Sequence, residues 1–117
     1  MITFYGYDRC STCRKAKKAL DGWNVEYRDI DITEKPPTKK VLRALLASGD
    51  YRLADLFNRS GVQYRELNMK EKLKAMSDAE AIELLAGNGR LCKRPIVTDG
   101  SKHSVGFKED VFRAAWK

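Results

Sequence analysis

Cys10-Ser11-Thr12-Cys13 separates a short apolar run at residues 2–5 from a basic, helix-forming segment at residues 14–20. A Cys-x-x-Cys pair at such a junction between strand and helix is typical of thiol–disulfide redox sites. The free N–H groups and the dipole of a helix N-terminus favour an anion, so they stabilise a thiolate. Five cations between residues 9 and 18, with no acidic residue among them, act in the same direction. We predict that Cys10 is the exposed nucleophile and that Cys13, one helical turn further on, resolves its mixed disulfides.

The length of 117 residues and the hydrophobic content of 43% suit one domain, residues 1–117, with one core. No apolar run reaches the roughly 18 residues of a membrane-spanning helix, and the strand-like N-terminus lacks the apolar stretch of a secretory signal. We therefore expect a cytoplasmic protein that does not associate with membranes. In that compartment the three cysteines indicate catalytic, redox-sensing, metal-binding or buried residues, and not a disulfide framework.

The formal charge of +7 would attract anions, acidic protein surfaces or, without sequence preference, nucleic acid. The charge is spread along the chain, and a solvated basic face is its simplest interpretation. No zinc-finger, RNA-recognition or KH-type motif is present, so we expect no direct, sequence-specific binding of nucleic acid.

The first third of the chain predicts a βαβ unit. Residues 2–5 form a strand, and residues 11–20 form a helix that ends at Asp21-Gly22 and carries Cys13, Ala16 and Leu20 on one face. Residues 25–32 are rich in β-branched side chains and form a second strand. A connection this short implies parallel strands and a right-handed crossover.

The middle of the chain, residues 36–90, predicts a helical insertion. It includes helices at residues 38–48 and 68–76, a short apolar turn at residues 53–57, and a capping box at residues 77–80 that begins another helix. A β-hairpin follows at residues 95–107, with Asp99-Gly100 suited to a type I′ turn, and a last helix carries an apolar stripe at residues 111–116. The order β-α-β, helices, β-β-α predicts an α/β, thioredoxin-like fold with a helical insertion.

Two arginines and one proline are candidates for binding a substrate. Arg14 follows the cysteine pair, where it either clamps an oxyanion or a glutathione carboxylate at the helix N-terminus or is simply exposed. Arg59 either reaches the thiolate from the insertion or lies on the surface. Pro95, after Arg94, is either the cis-proline that faces the cysteine pair in this fold or a proline that begins an edge strand.

Cys92 and His103 leave further alternatives open. Cys92 is either another resolving thiol or a small buried hydrophobic residue, which is common for a free cysteine. His103, the only histidine, would complete a Cys₃His zinc set with the three cysteines. The wide separation of the cysteines and the hairpin position of His103 argue against that site, so we expect no metal.

Three segments together resemble the ArsC/Spx family. They are Cys10-x-x-Cys13-Arg14-Lys15-Ala16, the run from Phe57-Asn58-Arg59-Ser60-Gly61 to Leu67-Asn68, and the run from Lys93-Arg94-Pro95-Ile96-Val97 to Gly106-Phe107. The family includes glutaredoxin-coupled arsenate reductases, the Spx transcriptional regulators and YffB-like proteins. The resemblance implies that Cys10 is the nucleophile and that Arg14, Arg59 and Arg94 bind an oxyanion.

The chain departs from the arsenate reductases at two places. Gly106-Phe107 stands where they carry a further arginine, and Cys13 stands where they typically carry serine. Two functional hypotheses follow from the resemblance. The first is a reductase with no bound cofactor that receives electrons from glutathione or glutaredoxin. The second is a Spx-type regulator that binds the RNA polymerase α subunit under control of a Cys10–Cys13 disulfide.

Overall fold

The computed structural model describes residues 1–117 and is built on one four-stranded sheet. The strands are β1 (Ile2–Gly6), β2 (Tyr27–Asp31), β3 (Ile96–Thr98) and β4 (His103–Val105), in the spatial order β2-β1-β3-β4. β1 and β2 are parallel, whereas β3 is antiparallel to both of its neighbours. The predicted βαβ unit and the thioredoxin-like α/β topology are therefore confirmed.

Six α-helices cover the sheet. They are α1 (Ser11–Gly22), α2 (Lys39–Ala47), α3 (Val62–Glu66), α4 (Met69–Lys72), α5 (Asp78–Gly87) and α6 (Glu109–Trp116). Two 3₁₀ helices, Leu53–Leu56 and Gly89–Leu91, complete the helical insertion between β2 and β3. None of these helices combines the length and the apolar character needed to cross a bilayer.

The two faces of the sheet have separate cores because side chains alternate along each strand. Phe4 and Val97 pack with α1 and α6 on one face, where Cys13, Ala16 and Leu20 are buried as predicted. Tyr5 and Ile96 face the inserted helices and join a larger cluster that includes Cys92. The insertion therefore covers a face of the sheet that would otherwise be open to solvent.

The insertion differs from its predicted form at one helix. The capping box is present, since Glu80 N–H donates to Ser77 Oγ and Ser77 N–H donates to Glu80 Oε1, each at 3.2 Å. The helix predicted at residues 68–76 is wrong in length, because only the single turn α4 is helical. The chain continues with N–H to C=O bonds between residues three apart, such as Lys74 to Glu71 at 3.2 Å. These tighter turns bring Leu73 and Met76 against the core without a regular α-helix.

The hairpin between β3 and β4 does not contain the predicted type I′ turn. That turn needs positive φ at both central residues, whereas in this loop only Gly100 has a positive φ, at 96°. The Asp99 carboxylate instead accepts the backbone N–H groups of Ser101 and Lys102, at 2.8 and 2.6 Å. The loop is therefore held by a side chain, and β4 is shorter than the strand predicted from residue 101 to residue 107.

Gly89 brings the end of the insertion against the end of β2. A Cβ atom at this position would overlap the Ile32 carbonyl group, so only glycine fits the close approach of the two backbones. The approach places the segment from Arg90 to Arg94 beside the loop that follows β1. The pairing of β3 with β1 positions the other end of this segment, since Tyr5 lies opposite Ile96 and the Arg94 guanidinium lies over the Tyr7 ring.

Candidate active site

Cys10 is the N-cap residue of α1, directly after the loop that leaves β1. Its N–H donates to the Tyr7 carbonyl oxygen at 3.0 Å, and its own carbonyl oxygen accepts the Arg14 N–H at 3.1 Å. Its side chain does not cap the helix, and no acidic residue lies in the first turn. The N–H groups at the start of α1 are therefore available to a thiolate or to a bound anion.

The two thiols of the motif differ in exposure and in pKa. Cys10 is half-buried, whereas Cys13 is fully buried between α1 and the sheet. Burial opposes ionisation of Cys10, but the Cys13 backbone N–H, the Cys13 thiol and the Arg94 guanidinium outweigh it, and the pKa falls below the ordinary value of 9.0. Burial raises the pKa of Cys13 to about 12, and the neighbouring Cys10 adds to this increase. Cys10 is therefore the thiol that ionises first, while Cys13 stays protonated and donates to it.

Arg94 brings a positive charge to Cys10 from the other half of the chain. Its guanidinium carbon lies 5.2 Å from the centroid of the Tyr7 ring, a cation–π contact that orients the side chain. The Arg94–Pro95 peptide bond is cis, as predicted. Pro95 is buried, and its carbonyl oxygen accepts the Gly106 N–H at 2.8 Å. Tyr7 thus holds both the cysteine, through its backbone, and the arginine, through its ring.

A cleft of about 910 Å³ extends from Cys10 over the start of α1 towards the insertion. Its charged lining consists of four cations and one carboxylate: Arg9, Arg90, Lys93, Arg94 and Glu66. Asn58, Gln63 and Thr33 add neutral polar side chains. The excess of positive charge favours an anionic ligand beside the thiolate, and the volume admits one much larger than a tetrahedral oxyanion.

Arg14 and Arg59 do not line this cleft. Arg14 Nη1 donates to the Asp8 carbonyl oxygen at 3.0 Å, so the side chain turns back along the loop that precedes Cys10. Arg59 Nη2 lies 3.5 Å from the Asp55 carboxylate and lines a neighbouring depression of about 380 Å³. Of the predicted site residues, the structure brings Cys10, Cys13, Arg94 and Pro95 together and leaves both of these arginines outside.

Cys92 lies on the opposite face of the sheet from Cys13. It is fully buried in the core of the insertion, where its thiol donates to the Leu85 carbonyl oxygen at 3.6 Å. Burial raises its pKa to about 12, in spite of the opposing charge of Arg94. Of its two predicted roles, the position fits the small buried hydrophobic residue.

His103 sits in β4, where its Nδ1 lies 2.7 Å from the Thr98 hydroxyl oxygen. The structure contains no group of three or more His, Cys, Asp or Glu side chains placed to hold a metal ion. His103 and the three cysteines therefore do not form the Cys₃His set that their residue types would allow.

The cleft also contains Arg9, Arg90 and Lys93, for which no motif in the sequence indicates a binding role. A usable sequence signal was present between Arg90 and Arg94, where the basic residues flank Leu91 and Cys92, both of which are buried. When basic residues flank two apolar ones in this way, the basic side chains are expected to lie together on the exposed side of the segment. The signal was hidden because a 3₁₀ turn has neither the helical nor the strand period.

Comparison with known proteins places this chain in a family. A model of the ArsC family matches residues 5–115. YusI, an uncharacterized protein of Bacillus subtilis (strain 168), is 53% identical over 115 residues, 98% of each chain. A solved structure of a possible arsenate reductase from Streptococcus mutans UA159 is 42% identical, with a TM-score of 0.87 over 95% of this chain and 97% of that one.

A transcriptional regulator is also similar over nearly the full length. The global transcriptional regulator Spx of Streptococcus pneumoniae (strain ATCC BAA-255 / R6) is 30% identical over 114 residues, which are 97% of this chain and 84% of that protein. The family match extends from β1 to α6 and includes Cys10, Cys13 and the cis Arg94–Pro95 bond. Sequence and fold agree with the predicted resemblance, and the chain belongs to the ArsC family.

Proposed function

We propose that this chain is a thiol-dependent oxidoreductase in which Cys10 attacks an oxyanion or a disulfide and Cys13 resolves the adduct. The observation that carries the proposal is the opposite shift of two neighbouring thiols. The pKa of Cys10 is lowered beside Arg94, whereas burial holds the pKa of Cys13 at about 12. Cys10 is therefore the thiol that attacks the substrate as a thiolate, and Cys13 stays protonated until the second step.

With a disulfide substrate, the Cys10 thiolate attacks one sulfur and forms a mixed disulfide, and the other half leaves as a thiolate. The charge on Cys10 has then disappeared, which removes one of the causes that raise the pKa of Cys13. Cys13 loses its proton to the released thiolate or to solvent and attacks the Cys10 sulfur, so the second half of the substrate leaves as a thiolate and a Cys10–Cys13 disulfide forms. Two electrons have passed to the substrate, and glutathione or glutaredoxin, as a thiol reductant, restores both thiols.

With an oxyanion substrate such as arsenate, the Cys10 thiolate displaces a hydroxyl group, which takes up a proton from solvent and leaves as water, and a bond forms between sulfur and arsenic. Attack by Cys13 or glutathione on the Cys10 sulfur breaks that bond and leaves its electron pair on arsenic. The oxyanion is thereby reduced by two electrons. The cationic lining of the cleft, with Arg94 beside Cys10, supports binding of the negative charge in this case.

The test is NADPH oxidation with arsenate as substrate, coupled through glutathione reductase, glutathione and glutaredoxin, or with hydroxyethyl disulfide in the absence of glutaredoxin, which would reduce that disulfide itself. The rate without the protein is subtracted in both cases. We expect turnover that Cys10→Ser abolishes and that the matched control Cys92→Ser retains, because Cys92 is buried away from the cleft. Cys13→Ser should slow the reaction less than Cys10→Ser, since glutathione can resolve the first adduct. Turnover that survives in Cys10→Ser would contradict the mechanism.

A second candidate function is a redox-controlled regulator. Two observations favour it: the 30% identity to Spx over 97% of this chain, and the presence of both cysteines of the motif. In this case a Cys10–Cys13 disulfide would change the packing of Cys13 under α1 and alter binding to the RNA polymerase α subunit. Purified α subunit should then bind the oxidised and reduced protein unequally, and the difference should vanish in Cys13→Ser. Equal binding of both forms would contradict the switch.

A further inference from the structure

Lys93 lies on the boundary between two depressions that meet beside Cys10. One is the cationic cleft described above. The other, here called the groove, has a volume of about 690 Å³ and runs along β4 and α6. Thr12 and Lys93 are the two residues that line both depressions. Thr12 lies in the first turn of α1, two residues after Cys10. A substrate bound at Cys10 can therefore contact Lys93 whether it extends into the cleft or into the groove.

The groove differs from the cleft in charge. Its lining carries two carboxylates, Asp50 and Asp55, against Lys93 and Lys108, and the remainder includes the apolar side chains of Phe107 and Val111. The groove is therefore close to neutral, whereas cations predominate in the cleft. A substrate with one anionic and one apolar half would meet matching surfaces on the two sides of Lys93.

The stem of Lys93 packs against Gly106. A Cβ atom at Gly106 would lie 3.0 Å from Lys93 Cε and 3.6 Å from Nζ, so the lysine occupies the space that a side chain at position 106 would need. Gly106 has a φ of 78°, in the left-handed region that favours glycine. The backbone at the end of β4 thus leaves room for the lysine and limits where its stem can lie.

The ammonium group of Lys93 has no ion-pair partner within the protein, since none of the five salt bridges includes it. Lys17 shows the contrast, because its Nζ lies 2.6 Å from Asp29 and 3.3 Å from Asp8. A half-buried lysine at the edge of a cationic cleft, without a carboxylate to neutralise it, is available to an anion from outside the protein.

We propose that Lys93 binds the anionic group of the substrate that Cys10 attacks, and that the site therefore selects disulfides bearing a carboxylate over neutral disulfides of similar size. The inference rests on the proposed thiol-exchange function. It separates two roles: Arg94 acts on the Cys10 thiolate, and Lys93 acts on the substrate. Lys93 is thus a specificity residue, and its contribution is measured by the ratio of the rates with an anionic and a neutral substrate.

The test compares two chromogenic disulfides. Dithiobis-nitrobenzoate carries a carboxylate on each ring, whereas dithiodipyridine is neutral, and both release a chromophore when Cys10 attacks. The quantity measured is the ratio of the two rate constants for the reduced protein. Lys93→Met keeps an unbranched stem over Gly106 and removes the charge, Lys93→Arg keeps the charge, and Lys40→Ala removes one charge from the exposed surface of α2. Thermal melting of each variant confirms that it is folded.

We expect Lys93→Met to lower the anionic-to-neutral ratio by roughly two- to five-fold, the range of a partly exposed ion pair. Lys93→Arg and Lys40→Ala should retain the ratio, and added salt should reduce the preference of the parent protein. An unchanged ratio in Lys93→Met would overturn the inference, and so would an equal loss of rate with both disulfides. Failure of the proposed function is a separate result: the reaction with dithiodipyridine would then be as fast in Cys10→Ser as in the parent protein.

Discussion

The N-terminus of α1 and the segment that leads into β3 each hold a cysteine influenced by the same cation, yet the two thiols are opposite in character. The charge of Arg94 favours the thiolate form of both Cys10 and Cys92. At Cys10 a backbone N–H and the Cys13 thiol add to it and outweigh partial burial. At Cys92 complete burial prevails, and the pKa rises to about 12. Proximity to a cation is therefore insufficient to make a reactive cysteine; hydrogen bonds to the thiolate and access to solvent decide the outcome.

The backbone explains why only one of the two regions supplies such hydrogen bonds. Cys10 is the N-cap of a twelve-residue helix with free N–H groups at its start. Cys92 follows a 3₁₀ turn and is bridged to Phe57, with its own N–H bonded to the Gly89 carbonyl oxygen at 3.2 Å. The thiol of Cys92 donates to a carbonyl oxygen, a contact that stabilises its protonated form.

The largest expected effect is the difference between the rates at which Cys10 and Cys92 are alkylated. The pKa of Cys10 is below 9.0 and that of Cys92 is about 12, so at neutral pH their thiolate populations differ by at least about 1,000-fold. We expect iodoacetamide to modify Cys10 far faster than Cys92 in the folded protein, measured by site-resolved mass spectrometry, although part of the difference in thiolate population is offset because a thiolate of lower pKa is the weaker nucleophile. The preference should disappear in denaturant. Labelling of Cys92 within ten-fold of the Cys10 rate would show that the two regions do not differ as described.

A smaller effect is expected from the cation that both regions share. Arg94→Met removes a charge-assisted hydrogen bond to the Cys10 thiolate, so the pKa of Cys10 should rise and its alkylation at neutral pH should slow by roughly three- to ten-fold. Thiolate absorbance followed against pH measures the shift. Arg94→Lys is the matched control and should recover part of the effect because it keeps the charge. An unaltered titration curve in Arg94→Met would exclude Arg94 as the activating group.

The last effect is confined to alkaline pH and concerns stability on the Cys92 side. In the unfolded chain Cys92 ionises near 9.0, whereas in the folded protein it keeps its proton up to about 12. Between these values the unfolded state binds fewer protons, so this thiol lowers the free energy of unfolding as the pH rises, by at most about 1.4 kcal/mol per pH unit. Cys92→Ala lacks this contribution and should lose stability less steeply above a pH of about 9.

Urea denaturation at a series of pH values measures this difference in slope, which is independent of any constant cost of the smaller side chain. Below the pKa of the unfolded chain the two proteins should show the same dependence on pH. Parallel curves for Cys92→Ala and the parent protein at alkaline pH would show that the buried thiol ionises as easily as a free one.

Much of the fold could be predicted because local patterns and tertiary packing agree. Cys13, Ala16 and Leu20 repeat at helical spacing and are all buried under α1, and the capping box at Ser77 begins α5 where expected. The prediction was wrong where local and tertiary preferences differ. The apolar residues after Asn68 have helical spacing, yet packing against the insertion core draws them into tighter turns. Asp99-Gly100 suits a type I′ turn, but the Asp99 carboxylate forms a different loop.

The candidate site shows the same difference between what local sequence predicts and what tertiary packing determines. Cys10 and Cys13 are neighbours in sequence, so their proximity follows from one helical turn. Arg14 is equally close in sequence, but its side chain finds the Asp8 carbonyl oxygen and leaves the cleft. The Arg59 guanidinium forms a salt bridge with the carboxylate of Asp55, four residues earlier. A long, flexible side chain can reach several partners, and sequence spacing does not show which of them it contacts. Two of the predicted cationic residues therefore lie outside the site.

By itself, the sequence determined the βαβ start of the fold, the helix N-terminus that favours a thiolate at Cys10, and membership of the ArsC family, because each depends on short-range order or on the identity of residues. Only the tertiary structure decided which cations face that thiolate. Gly89 lets the insertion approach the end of β2, and the pairing of β3 with β1 sets Arg94 beside Cys10 and Lys93 at the rim of the cleft. Electrostatic interactions depend on distance and burial, and about eighty residues of chain separate these groups along the sequence.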